Sequence, residues 1–267
     1  MPAVGIMGTQ EGFSRARHDI RAKTARSLLL SSELDAVRVR HGVTTRALAE
    51  AMDMSPAMVN RMMTGRRVPG PVEIGGLCAV LDVPPDRRPY LYGLARESEK
   101  KDWLIHATPS DSDPNGTVRA LWSLADAVDT YGVTGGPRVL GNARVSPGAV
   151  RAGHVGDVVW THYVPNRALD GSGGELDSQT KRLVRLARLG GVRIIPDGVA
   201  PPFRHPVQVL RFRHFAPVVV LDLDYTVVIL ENEHAEHYVA PLRAAMGSAL
   251  SAGVSQELVV RLWGGGE

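Results

Sequence analysis

Val43 to Pro69 reads VTTRALAEAMDMSPAMVNRMMTGRRVP, and its spacing predicts two short helices joined by a tight turn. Leu48, Ala49, Met52, Met54, Val59 and Met62 are apolar or small where such helices pack across one another. Ala49 suits the point where the second helix crosses closely over the first. Asp53, in the turn, is a residue type that tolerates positive φ. Thr44 and Ser55 are N-cap types, Pro56 fits a first helical turn, and Gly65 is a stop. Between the apolar positions the second helix offers Ser55, Ala57, Met58, Asn60 and Arg61 to the outside.

An outward face of that kind is what reading duplex DNA requires. The major groove admits one helix, whose N-terminal side chains meet base edges. Short residues such as Ser55 and Ala57 let the backbone approach, and Asn60 or Arg61 can hydrogen-bond bases or phosphates. Thr45 and Arg46, with Thr44, begin the preceding helix, where backbone N–H groups and the helix dipole favour phosphate. Arg66 and Arg67 follow the second helix as candidate phosphate clamps. The same pattern also fits a helical bundle used for protein contacts, its arginines merely solvated.

Outward from this segment the punctuation extends the helical region. Leu30, Leu34 and Val37 recur at i, i+4 and i+7, predicting a helix from about Lys23 to His41 with Gly42 as its C-cap. Further helices are expected near 71–81 and 85–97, giving five in all. Residues 1–22 read as a loose arm, 23–97 as the helix-turn-helix domain, and 98–116, polar with two prolines, as a linker. Residues 117–267 read as a mixed α/β domain for dimerisation, partner binding or effector binding. In it, Val118, Leu121, Trp122, Ala125 and Val128 mark an amphipathic helix, with a second helix starting near Asp177. Strands are expected at 158–164, 192–195, 207–212, 218–223 and 226–230, then a long helix at 235–250 and a short one at 258–263.

Charge divides the chain in the same way. Residues 15–67 hold eleven Lys or Arg against five Asp or Glu, an excess of six, whereas the whole chain carries +3 and the remainder therefore −3. That asymmetry points the N-terminal part towards a polyanion. No apolar run approaches the length of a membrane span, and the first twenty residues lack the apolar core of a secretory leader. One cysteine, Cys78, allows no intramolecular disulfide, so a reducing cytoplasmic setting is expected.

The segment V-T-T-R-A-L-A-E-A-M-x-M-S-P-A-M-V-N-R-M-M-T-G-R-R-x-P resembles the repressor-type helix-turn-helix of the Cro and lambda repressor (XRE) superfamily over residues 30–95, with Ala49, Ser55, Val59, Arg61 and Gly65 in step. Thr45 stands where that superfamily usually has Gln, Asp53 where it has a turn Gly, and Met63 where it often has Glu. Farther on, QTKRLVRLARLGGVRIIP (179–196), VVILE (227–231) and ALSAGVSQELV (249–259) are similar to the companion domain of WhiJ-like actinobacterial regulators, although TGGPRVLGNARV (134–145) replaces their Pro-Gly-Leu-Leu-Gln-Thr-like motif. The resemblance implies a transcription regulator, often encoded beside a small acidic partner protein and antitoxin-like in its C-terminal domain. Double-stranded DNA is the expected partner, read by a homodimer because one short helix buries little surface. A small-molecule effector is a further expected partner; no cofactor, metal or catalytic set is expected.

Asp222-x-Asp224-x-Thr226 after an apolar strand matches the D-x-D-x-T signature of haloacid-dehalogenase-type phosphatases, but only 41 residues follow Thr226 and none is Lys. His205, His214, His234 and His237 with Glu231 and Glu233 form a conceivable metal set. The Gly-rich stretches at 132–141 and 171–174 lack the Lys-Ser/Thr of a phosphate-binding loop. Asn115-Gly116-Thr117 is a sequon that a cytosolic chain would not present for glycosylation, and Cys78 is expected as inert packing. The alternative function is an enzymatic or ligand-binding C-terminal domain carried beside a helical scaffold.

Overall fold

In a computed structural model of the chain, the described residues are 21–106, 116–132, 150–151, 154–155, 158–169, 178–223 and 226–263. The chain divides into two compact units, Met1–Lys101 with Arg213–Phe215, and Asp102–Phe212 with Ala216–Glu267. Residues 1–20 of the expected arm, the motif at 134–145, the Gly-rich 171–174, Asn115 and Asp224 lie outside the described residues.

Among its described residues the N-terminal unit has helices as its only regular elements: α1 (Ala25–Arg40), α2 (Thr45–Ala51), α3 (Pro56–Met63), α4 (Pro71–Val80) and α5 (Arg88–Arg96). Thr24 opens α1 with a capping box, its hydroxyl taking the Ser27 N–H while the Ser27 hydroxyl takes the Thr24 N–H. From Ala25 to Ser32 every residue of α1 is buried, which makes α1 the central helix. The three serines on that stretch are small enough to pack there, and Ser31 returns its hydroxyl to the Ser27 carbonyl at 2.7 Å. Cys78 is buried in α4, and desolvation pushes its thiol pKa up, as befits inert packing.

The C-terminal unit is a mixed sheet with helices on its faces. It comprises β1 (Trp103–His106), α6 (Gly116–Leu124), β2 (Ala127–Tyr131), β3 (Val150–Arg151), β4 (His154–Val155), β5 (Val158–Pro165), α7 (Ser178–Arg188), β6 (Val192–Ile195), β7 (Val207–Arg211), β8 (Val218–Asp222), β9 (Thr226–Leu230), α8 (Asn232–Gly247) and α9 (Ala252–Trp263). The strand order is β1-β9-β8-β7-β2-β5-β4-β3, and β6 joins the edge of β5 beyond β4. β2 runs parallel to β5 and β5 to β6, while β7, β8, β9 and β1 continue antiparallel.

Two sequence expectations change here. The helix drawn through Val118 to Val128 stops at Leu124, and Val128 belongs to β2. β2 is flanked on both sides and buried at all five positions, so it lacks the alternation that marks a half-exposed strand, and Val128 mimics a helical repeat from Leu121. Within the stretch expected as linker, Trp103–His106 pairs with β9, Trp103 facing inward and Leu104 outward.

Alternate residues of the central strands feed two cores. One face gives Tyr131, Tyr163, Val207, Val209, Val219 and Leu221, which pack under Ala235, Val239 and Leu242 of α8. The other gives Val164, Val192 and Ile194, covered by Leu183, Val184 and Ala187 of α7 and Val259 of α9. On that second face Trp122 of α6 donates its indole N–H to Gln208 at 3.0 Å and meets Trp160 edge to face. The outer edge of β6 is closed by the start of α9: Ile194 donates its N–H to the Ser255 hydroxyl at 3.0 Å, and Leu250 donates to the Ile194 carbonyl at 2.8 Å. Ser255 and Ile194 are both fully buried, so Ser255→Ala leaves a backbone N–H without water or partner. We expect about 1–3 kcal/mol lower unfolding free energy in urea for that variant.

Candidate nucleic-acid interface

The helix pair read from Val43–Pro69 forms as α2 and α3. Thr44 accepts the Ala47 N–H at 3.1 Å and Ser55 the Met58 N–H at 3.2 Å, each hydroxyl capping its helix, with Pro56 first in α3. Between them Asp53 takes φ +50°, with its N–H given to the Glu50 carbonyl at 3.2 Å and the Met54 N–H to the Ala49 carbonyl at 2.9 Å. This is a Schellman closure with Asp in the position glycine usually fills. It tolerates Asp because a short polar side chain visits the left-handed region at modest cost.

Burial divides α3 lengthwise. Val59, Met62 and Met63 are buried at 0–3% exposure, as are Leu48 and Ala49 of α2, so these helices hold together by apolar packing. Ser55, Pro56, Ala57, Asn60 and Arg61 are exposed, and Met58 and Thr64 half-buried. One i, i+3, i+4 strip therefore presents Ala57, Asn60, Arg61 and Thr64 together. The Thr64 hydroxyl is turned back onto the Asn60 carbonyl at 2.7 Å, which leaves the amide of Asn60 and the guanidinium of Arg61 as the strip's outward polar groups. Met63, one of the departures from the superfamily pattern, lies in the core.

The basic residues sort into two kinds. Arg46, Arg61 and Arg66 are exposed, and their side chains enter no hydrogen bond or ion pair among the described residues. Thr45 is half-buried at the start of α2. Arg26, Arg38 and Arg67 are engaged with groups of the domain itself. Arg26 reaches the Lys100 carbonyl at 2.6 Å, and Arg38 pairs with Asp35 and donates to the Val43 carbonyl, both at 2.7 Å. Arg67, expected from the sequence as a phosphate clamp, is half-buried and pairs with Glu73 at 2.8 Å, and Glu73 in turn accepts the Gly70 N–H at 2.7 Å. The sequence carried a signal for this, since Glu73 stands third in α4 behind Gly70 and Pro71, where a capping carboxylate belongs.

The rival sites disperse. β8 is antiparallel to both β7 and β9, so Asp222 ends a hairpin strand, closed by Leu223 N–H on the Thr226 carbonyl at 2.9 Å, rather than the parallel strand a phosphatase nucleophile would top. His234 pairs with Asp102 at 2.5 Å, and His205 stacks on Phe203 at 6.2 Å. Among the described residues no three His, Cys, Asp or Glu side chains gather as a metal set. No helix among them is long and apolar enough to cross a membrane.

Capped short helices, a tight turn and an exposed polar strip on the second helix define a helix-turn-helix domain. Residues 29–91 match a family model described as a helix-turn-helix domain, the type of module found in DNA-binding regulators. Neither a curated protein nor a solved structure matches the chain.

Two measurements test this local architecture. Asp53→Val puts a β-branched side chain at φ +50° and is expected to lower unfolding free energy by about 1–2 kcal/mol, while Asp53→Gly stays close to the parent. The hydrogen bond from Arg67 holds the Glu73 carboxyl below its usual 4.5, against burial, which raises it, with the Gly70 N–H assisting. A carboxyl depressed on folding lends stability in full above its unfolded pKa and loses it as pH falls through the lower, folded value. Glu73→Gln should therefore show less loss of thermal midpoint than the parent as pH drops from about 4.5 downward.

Proposed function

We propose that this protein is a sequence-specific DNA-binding regulator that lays α3 in the major groove. The observation carrying this reading is the lengthwise division of α3: its apolar stripe is used up in the core, so Ser55, Ala57, Met58, Asn60 and Arg61 are left to the solvent side. Short Ser55 and Ala57 allow close approach at the helix N-terminus, where base edges are met. Asn60 suits adenine and Arg61 guanine, each by paired hydrogen bonds. Thr45, Arg46, Arg66 and Arg67 hold phosphates, and the pairing of Arg67 with Glu73 fixes the turn that carries Arg66.

A helix of eight residues buries little DNA surface, which favours a homodimer on two half-sites about one helical turn apart. The α/β unit then supplies the dimer contact, a surface for a small acidic partner protein, or a small-molecule effector site. The chain's one cysteine, buried and reduced, suits a cytoplasmic regulator.

The test is a gel-shift titration with DNA from the protein's own promoter region. A specific complex that weakens steeply with salt is expected. Arg61→Ala should cost about 1–3 kcal/mol on that site and relax preference at one base pair. Equal affinity for operator and scrambled duplex across the promoter region would overturn the reading.

A further inference from the structure

The chain enters α1 along the C-terminal end of α3. Arg21 donates its N–H to the Thr64 carbonyl at 2.7 Å, satisfying a helix-end acceptor that the helix itself cannot. Gly65, at φ +70°, allows the contact: a Cβ there would lie 2.9 Å from the Ser31 hydroxyl and 3.1 Å from Ala22. Thr24 anchors the far end, its hydroxyl bonding Ser27 at 2.9 Å and donating to the Ser98 carbonyl.

Between these two anchors the segment alternates. Ala22 and Thr24 turn inward, half-buried and buried, while Arg21 and Lys23 are exposed. Neither cation enters a side-chain hydrogen bond or ion pair among the described residues. Arg66, equally exposed, follows Thr64 by two residues. Three cations thus sit on backbone held at the C-terminal end of α3.

We propose that Arg21 and Lys23 grip the DNA backbone, a second phosphate contact added to Arg66 at the exit of the recognition helix. Eight residues of helix span about 12 Å, the width of the major groove. A helix that enters with its N-terminal side chains on the bases leaves its C-terminal turn at the phosphate rim. The backbone bond to Thr64 and the close approach at Gly65 hold the segment that carries these charges against the domain, which lowers the ordering cost that falls on binding. The competing account is that Arg21 serves the fold alone, as a cation beside the negative end of α3.

This inference rests on the DNA-reading role proposed above, and one experiment separates the two. The full-length parent, Arg21→Ala/Lys23→Ala and the charge-conserving Arg21→Lys/Lys23→Arg are titrated with operator and mixed-sequence duplex from 50 to 200 mM salt, and their thermal midpoints are compared. In the homodimer proposed above the alanine pair removes four cations, two per protomer, and should reduce the slope of log affinity against log salt by about 3.6, so that this salt rise costs it about 150-fold less affinity than it costs the parent. Its operator preference should be unchanged, and the charge-conserving pair should keep the parent's slope. A parental slope in the alanine pair, or a lowered midpoint with intact slope, overturns the proposal and leaves the DNA-reading role standing. A parent that prefers no duplex overturns both.

Discussion

The N-terminal unit's surface chemistry depends on the contact between α2 and α3, whose buried side chains are Leu48 and Ala49 on one helix and Val59 and Met62 on the other. An eight-residue helix has too little length to be stable by itself. Its stability comes from this buried stripe, and burying one stripe obliges the opposite one to face outward. The hydroxyl caps at Thr44 and Ser55 set where each helix begins, and the left-handed Asp53 sets the angle of the turn. Every side chain on the proposed reading strip inherits its direction from those few interactions.

Cations around that strip are divided by what lies near their chain positions. Arg26, Arg38 and Arg67 find carbonyls or carboxylates within the unit and become part of its framework. Arg46, Arg61 and Arg66 find none and keep their charge available to a ligand. A basic excess counted along the sequence therefore overstates what a polyanion would meet, and the framework arginines matter through the loops they fix.

In the C-terminal unit the governing constraint is the satisfaction of backbone groups across a sheet with both parallel and antiparallel parts. β2 stands where the two parts join, parallel to β5 and antiparallel to β7, and it is buried throughout. The β6 edge is finished with the Ser255 hydroxyl and the Leu250 N–H instead of another strand. The same topology settles the fate of the D-x-D-x-T pattern, since a hairpin strand between antiparallel neighbours gives Asp222 no parallel-strand end to occupy.

Local chemistry made the helical unit readable in advance. Cap residues at Thr44 and Ser55, Pro56, the stop at Gly65 and a 3.6-residue apolar repeat act over a few positions, so their spacing alone determined five helices and the exposed strip of α3. Strands rich in β-branched residues, such as Val218–Asp222 and Thr226–Leu230, were legible for the same reason. Tertiary structure alone decided the rest. β2 is a strand because β5 and β7 pair with both its edges, and β1 pairs with a segment more than a hundred residues away. Those outcomes depend on which groups meet in space, and no short-range pattern encodes a meeting between distant parts of the chain.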